Sequence, residues 1–255
     1  MVKVLNIEVS DGRRIDLLGL PLDMVTLAQS LERIEEMLRR PGTHQVVTIN
    51  PEAIIRCQNN PELPATIREA ELVVADGVGI LWAVRQLTSY QVPERVAGAD
   101  LIPALFEHFG PKLRVYFLGA KPGIAEKAAQ NSHQKYGIQV VGVQDGYFQD
   151  EAATVAAIRQ AQPDLLLVGM GERQDTFIHR NKTQLGAKVA IGVGGMLDVL
   201  SGEVKRVHPL AQKLKIEWLL RVALDRKRWN RAPRLWKFIQ LVRTTKAQQA
   251  RQFPK

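Results

Sequence analysis

Residues 114–143 read RVYFLGAKPGIAEKAAQNSHQKYGIQVVGV. The run Arg114-Val115-Tyr116-Phe117-Leu118 has the apolar and aromatic content of a buried strand. Gly119 ends it, a helical pattern runs from about Gly123 to Tyr136, and a second apolar run spans Gln139 to Val143. Strand, helix and strand in this order form a βαβ unit, whose two strands lie parallel.

The same alternation extends in both directions. Leu165 to Val168 and Lys188 to Val193 read as further buried strands, with helical patterns between them. Upstream, Gln45-Val46-Val47-Thr48 and Leu72-Val73-Val74 are strand-like. Leu27, Leu31, Ile34, Met37 and Leu38 share one helical face after a polar start around Asp23 and Thr26. Asn50-Pro51-Glu52 marks a helix start, and Pro61 and Pro64 open another short helix. Met1 to Ser10 alternate in polarity and read as a first strand. The expectation is an α/β fold: a Rossmann-like, mostly parallel sheet with helices on both faces.

Beyond Pro209 no strand is suggested, and the text becomes helical, basic and rich in tryptophan. The expected division is an α/β core over residues 1–200 and a basic helical appendage over 201–255. From Lys205 to Lys255 there are 15 Lys and Arg against 2 acids, whereas the rest holds 20 against 24. All of the net +9 therefore comes from the last fifth of the chain, which predicts an anionic partner for that segment alone. The single cysteine, Cys57, rules out an internal disulfide and fits a reducing cytoplasm. No run of about 18 apolar residues occurs, and no small-residue cleavage site follows the N-terminus.

In parallel sheets, ligands bind beyond the carboxyl ends of the strands. Four such ends are polar and compact: Thr48-Ile49-Asn50, Asp76-Gly77-Val78-Gly79, Gly169-Met170-Gly171 with Gln174 and Asp175, and Gly194-Gly195 with Asp198. Their glycines let backbone amides approach a phosphate closely. Asp76 is the best candidate for a general base, since desolvation at a buried strand end raises a carboxylate's basicity. One strand-end Asp-Gly alone is more often a turn or a helix cap. Other chemistries lack their signatures. Gln174 stands where the dinucleotide fingerprint needs its third glycine, and there is no Gly-Lys-Ser/Thr loop and no nucleophile elbow. The five histidines have no zinc spacing, and no Asp-x-Asp pair is present to hold a divalent metal. Bound phosphates would fall to arginines and backbone amides.

Taken in order, these residues resemble the WecG/TagA/CpsF family of glycosyltransferases from about residue 15 to about residue 240. The likeness rests on Thr48-x-Asn50-Pro51-Glu52, Ala75-Asp76-Gly77-Val78-Gly79 and Glu94-Arg95-Val96-x-Gly98-x-Asp100-Leu101. It continues through Gly192-Val193-Gly194-Gly195 with Asp198, Ser201-Gly202-Glu203-Val204-Lys205-Arg206, and Glu217-Trp218-Leu219-x-Arg221. The resemblance implies an inverting transfer of an N-acetylmannosamine-type sugar from a UDP-sugar to an undecaprenyl-diphosphate-linked sugar, in cell-surface polysaccharide or teichoic acid synthesis. It implies Asp76 as base and Thr48 and Asn50 lining the same cleft. Gln174, Gly195 and Asp198 would hold the nucleotide sugar, and Arg95 would contact donor or acceptor. Arg221, Arg228 and Arg231 would supply positive charge to the departing diphosphate, so that neither a metal nor another cofactor is expected. Two departures stand out: the family's Gly-x-Pro-x-Gln-Glu is Gly171-Glu172-Arg173-Gln174-Asp175 here, and its Phe-Asp-Phe is Leu197-Asp198-Val199. Both alter pocket walls and leave the polar anchors standing.

Trp218, Trp229 and Trp236, interleaved with Leu, Ile and Phe on a basic segment, suit an anionic membrane surface. The expectation is a cytoplasmic protein bound peripherally to the inner face of the membrane, with a homo-oligomer left open. Two rival readings are a nucleic-acid-binding protein using the basic tail and a nucleotide-dependent oxidoreductase. The first leaves Asp76, Thr48 and Asn50 without work, and the second lacks its fingerprint.

Overall fold

The computed structural model describes residues 14–204 and 232–252. The strand expected over residues 1–10, and the stretch 205–231 with Arg221, Arg228 and Arg231, lie outside the described residues.

Six strands form one all-parallel sheet: β3 (His44–Ile49), β4 (Leu72–Ala75), β5 (Arg114–Gly119), β6 (Gln139–Gln144), β7 (Leu165–Gly169) and β8 (Val189–Gly192). Their spatial order is β4-β3-β8-β7-β5-β6. A separate antiparallel hairpin, β1 (Arg14–Leu17) and β2 (Leu20–Asp23), precedes them. The helices are α1 (Leu27–Arg39), α2 (Pro51–Cys57), α3 (Glu62–Arg68), α4 (Val78–Leu87) and α5 (Gly98–Phe109). Then come α6 (Ile124–Tyr136), α7 (Glu151–Ala161), α8 (Gln174–Asn181), α9 (Met196–Leu200) and α10 (Ala232–Gln252).

Side chains alternate across each strand, so the sheet has two apolar faces. Val46, Leu72, Val74, Val115, Phe117, Leu165, Leu167, Val189 and Ile191 meet α1, α5, α6 and α9 on one of them. On the other, Tyr116, Leu118, Leu166, Val168 and Ala190 meet α7 and α8. Beside these, Val47, Ile49, Val73 and Ala75 meet the hairpin, α2, α3, α4 and α10. The expected α/β architecture with helices on both faces is therefore present.

The hairpin was not foreseen. Its turn puts Leu18 (φ 59°) and Gly19 (φ 83°) in the left-handed region, as a two-residue hairpin turn requires. Leucine there hides the turn from a sequence reading. Asp23 ends β2 rather than opening α1. Its carboxylate is 1% exposed and accepts hydrogen bonds from Arg14, Arg33 and the Val73 N–H. A buried carboxylate needs this many partners. The cap of α1 is Thr26, reciprocated by Gln29.

Candidate active site

β3 and β8 are neighbours, yet the helix that follows β3 packs on one face of the sheet and the helix that follows β8 packs on the other. Connections that diverge in this way leave a crevice beyond the strand ends. Val46 is paired with Ile191, the last register pair of these two strands, so Thr48 and Asn50 after it and the Gly194-Gly195 turn leave the same end of the sheet. On the other side of β3, Thr48 is paired with Val74 and Ile49 with Ala75, which sets Asp76 beside Asn50. The Asp76 N–H donates to the Ile49 carbonyl at 2.8 Å and continues the ladder one residue further.

Local chemistry explains each position. Asn50 caps α2, its Oδ1 accepting from the Ala53 N–H at 2.9 Å, and Pro51 follows as the first helical residue. Gly77, at φ 101°, turns the chain sharply from Asp76 into α4. The Val96 N–H donates to the Ala75 carbonyl at 3.0 Å, which lays the Glu94-Arg95-Val96 segment along the end of β4. Arg95 forms a 3.2 Å ion pair with Asp100 in the first turn of α5. Gly98 starts α5 next to Thr48: a side-chain carbon there would make an ordinary contact, 3.8 Å from Thr48 Cγ2.

The second half of the cluster sits on β7 and β8. Gln174 opens α8 and is buried, and its Oε1 accepts the Gly194 N–H at 2.8 Å. Gly195 is exposed, with the Asp198 carboxylate standing close to it: Oδ2 lies 3.6 Å from where a side-chain carbon of residue 195 would be. Thr48, Asn50, Asp76 and Arg95 thus lie at the ends of β3 and β4, and Gln174, Gly195 and Asp198 at the same end of the neighbouring β7 and β8. The structure brings these seven to one end of the sheet.

Several neighbours escaped the sequence reading. The turn after β5 carries Gly119 at φ 128° and Ala120 at φ 58°. A side-chain carbon on Gly119 would come within 2.4 Å of the Gly169 carbonyl oxygen, so only glycine fits there. Gly146 donates to the Ala120 carbonyl at 2.9 Å, and the next residue, Tyr147, is 62% exposed beside this turn. Gln45 and Arg56 gather behind Gln174 around Asp175, which the sequence already marks. The glycine spacing of 119 and 123, and a glutamine opening a buried strand, were the available signals. Among the described residues no three His, Cys, Asp or Glu side chains gather around a common point that could hold a metal. A depression of about 420 Å³ between α7 and α8 is lined by Glu151, Val155, Arg159, Asn181 and Gln184 and shares no residue with the strand-end cluster.

A crevice of glycine turns, a strand-end carboxylate and flanking amides beyond the carboxyl ends of a parallel sheet is where α/β enzymes bind their ligands. The model of the family described as "Glycosyl transferase WecG/TagA/CpsF family" matches residues 15–252. The chain belongs to that family and is a glycosyltransferase. It is 33% identical over 200 residues to an N-acetylglucosaminyldiphosphoundecaprenol N-acetyl-beta-D-mannosaminyltransferase of Bacillus spizizenii, covering 77% of each chain. It is 32% identical over 230 residues to a protein of the same name from Staphylococcus aureus, covering 88% of this chain and 90% of that one.

Proposed function

We propose that this enzyme moves N-acetylmannosamine, or a closely related sugar, from a UDP-sugar to an undecaprenyl-diphosphate-linked N-acetylglucosamine, with inversion and without a metal. The observation that carries this reading is the placement of Asp76 beside Thr48 and Asn50 at the crevice, in a chain that is similar over most of its length to transferases named for that acceptor.

In the proposed mechanism, Asp76 takes the proton from the acceptor hydroxyl. The freed oxygen attacks the anomeric carbon from the face opposite the diphosphate, the bond from that carbon to the diphosphate oxygen breaks, and UDP leaves. Gln174, Asp198 and the Gly194-Gly195 turn hold the donor. Thr48 and Asn50 orient the acceptor, and Arg95 borders both. The charge on the leaving diphosphate is met by Arg221, Arg228 and Arg231, which lie outside the described residues. The basic C-terminal stretch holds the enzyme to the inner membrane surface, where the lipid-linked acceptor is found.

The test is UDP release from a panel of UDP-sugars with a synthetic lipid-diphosphate N-acetylglucosamine acceptor, in the presence of a chelator. The expected result is acceptor-dependent release that Asp76→Asn lowers by about 100-fold or more. Release that the substitution leaves untouched moves the base elsewhere. Release abolished by chelator overturns the metal-free reading, and no release from any donor overturns the proposal.

A further inference from the structure

Asp175 has no part in the mechanism above, yet it is only 5% exposed and sits at the second position of α8. A side-chain carbon on Gly192 would come within 2.3 Å of Asp175 Oδ1 and 2.6 Å of Gln174 Nε2. The two side chains therefore share the space that a bare glycine leaves, with these atoms less than about 5 Å apart. The Asp175 carbonyl accepts from Gln45 Nε2 at 3.0 Å, and Gln45 is fully buried. Arg56, on α2, donates to the Glu172 carbonyl at 3.1 Å.

Burial pushes the Asp175 carboxyl up to about 6, with the field of Arg56 opposing it. The other ionisable group nearby on α2 is Cys57, whose thiol is itself pushed up to about 11, chiefly by burial. β7 and β8 carry no ionisable side chain, and His44 of β3 lies on the sheet face opposite Gln45. Farther along α8, His179 faces Glu69, just after α3, and Arg180 faces Glu62 of α3, while Glu172 pairs with Arg234 of α10.

A carboxylate held where its charge is disfavoured calls for a function. The amide of Gln174 has two ends, and only one orientation offers Oε1 to the Gly194 N–H. With Oε1 taken by the Gly194 N–H, Nε2 is the end that shares the Gly192 space with Asp175 Oδ1, and a negative charge there favours this orientation over the flipped one. We propose that Asp175 is a positioning residue for the sugar donor: its carboxylate orients the Gln174 amide, which in turn fixes the Gly194-Gly195 turn that receives the diphosphate. This rests on the donor reading given above. Protonation of Asp175 removes the selecting charge, so donor binding weakens as pH falls through the carboxyl's titration.

The experiment compares full-length wild-type enzyme with Asp175→Asn and Asp175→Glu in donor and acceptor titrations between about pH 5 and 8, alongside amide exchange at Gly194. Asp175→Asn is expected to raise the donor KM about tenfold, with kcat and acceptor KM little changed. Asp175→Glu should recover most of that loss. The wild-type donor KM should climb below about pH 6, and the climb should vanish in Asp175→Asn. Exchange at Gly194 should be about tenfold faster in Asp175→Asn than in wild type at the same pH, with the fold retained. Unchanged Gly194 exchange, or donor and acceptor KM rising together, overturns the proposal. If the wild type turns over no donor, the transferase reading fails instead, and the exchange result alone decides the positioning role.

Discussion

At the scale of single residues, several side chains of the site have a local task as well as a place at the crevice. Asn50 caps a helix, Gln174 holds a backbone amide and Arg95 pairs with Asp100. Asp175 is the exception, because its ionised form works against the fold. Its folded carboxyl titrates higher than an unfolded one, near 6 against 3.8. The native state therefore holds the proton over a range where the unfolded chain has lost it, and stability falls as pH rises across that window. Above it the cost is complete, on the order of 3 kcal/mol. Asp175→Asn should thus melt higher than wild type near pH 8, and the gain should shrink to nothing below about pH 4. Calorimetric melting across that range checks it, and a variant less stable at pH 8 would mean that Arg56 outweighs burial. The strand-end residues Thr48, Asn50, Asp76, Gln174, Gly195 and Asp198 were legible because each directly follows, or closely follows, an apolar run. Asp175 was marked at the same strand end, but its grouping with Arg56 and Gln45 was not, because it joins α8, α2 and β3 across the sheet, a proximity that no linear spacing encodes.

At the scale of elements, every strand of the parallel sheet was visible as a short apolar run, five of them because both sheet faces are covered there and alternation is suppressed. β6 was read as buried and is instead an edge strand with no fully buried residue. The β1–β2 hairpin was not visible, because Leu18 occupies a position where a turn would normally show asparagine or glycine. The docking of α10 was equally hidden. Phe238 and Val242, one turn apart, are fully buried against α2 and α4, and the Phe238 ring meets Trp82 edge-on at 6.4 Å. Gly79 is also part of this contact, its α-carbon facing Pro51 and Phe238. Truncating a buried phenylalanine costs about 3–5 kcal/mol. Phe238→Ala should therefore free α10 from the core and speed protease cleavage at Lys237 and Arg243. If the cleavage rate matched that of wild type, α10 would owe its place to something other than this ring.

At the scale of the whole molecule, charge and apolar surface coincide on α10. The helix has Arg234, Lys237, Arg243, Lys246 and Arg251 and no acid, and Trp236 is 57% exposed. Among the described residues, no helix is long and apolar enough to cross a membrane. The proposed attachment to an anionic surface predicts that Trp236→Ala with Lys237→Gln and Arg243→Gln weakens flotation with anionic vesicles about tenfold or more, at roughly 1 kcal/mol for each charge. These positions are exposed, so the fold should survive, whereas removing α10 would uncover the apolar surface that Phe238 covers. Flotation equal to wild type would place the attachment outside α10. The uneven charge was readable from composition alone. Which face of the helix is free was not, since that depends on what α2 and α4 bury.

The order of the strands has a consequence for how the enzyme is made. β8 is the last strand of the sheet to be synthesised, yet it lies between β3 and β7. A nascent chain that has not yet emerged past Gly192 holds two half-sheets, β3 with β4 and β5 with β6 and β7, each with one unpaired inner edge. The crevice is bounded by β3 and β8, so it does not exist until that final strand slots in. Ribosome-bound chains stalled before residue 189 are therefore unable to engage a sugar donor, and their open edges are where a chaperone would be needed.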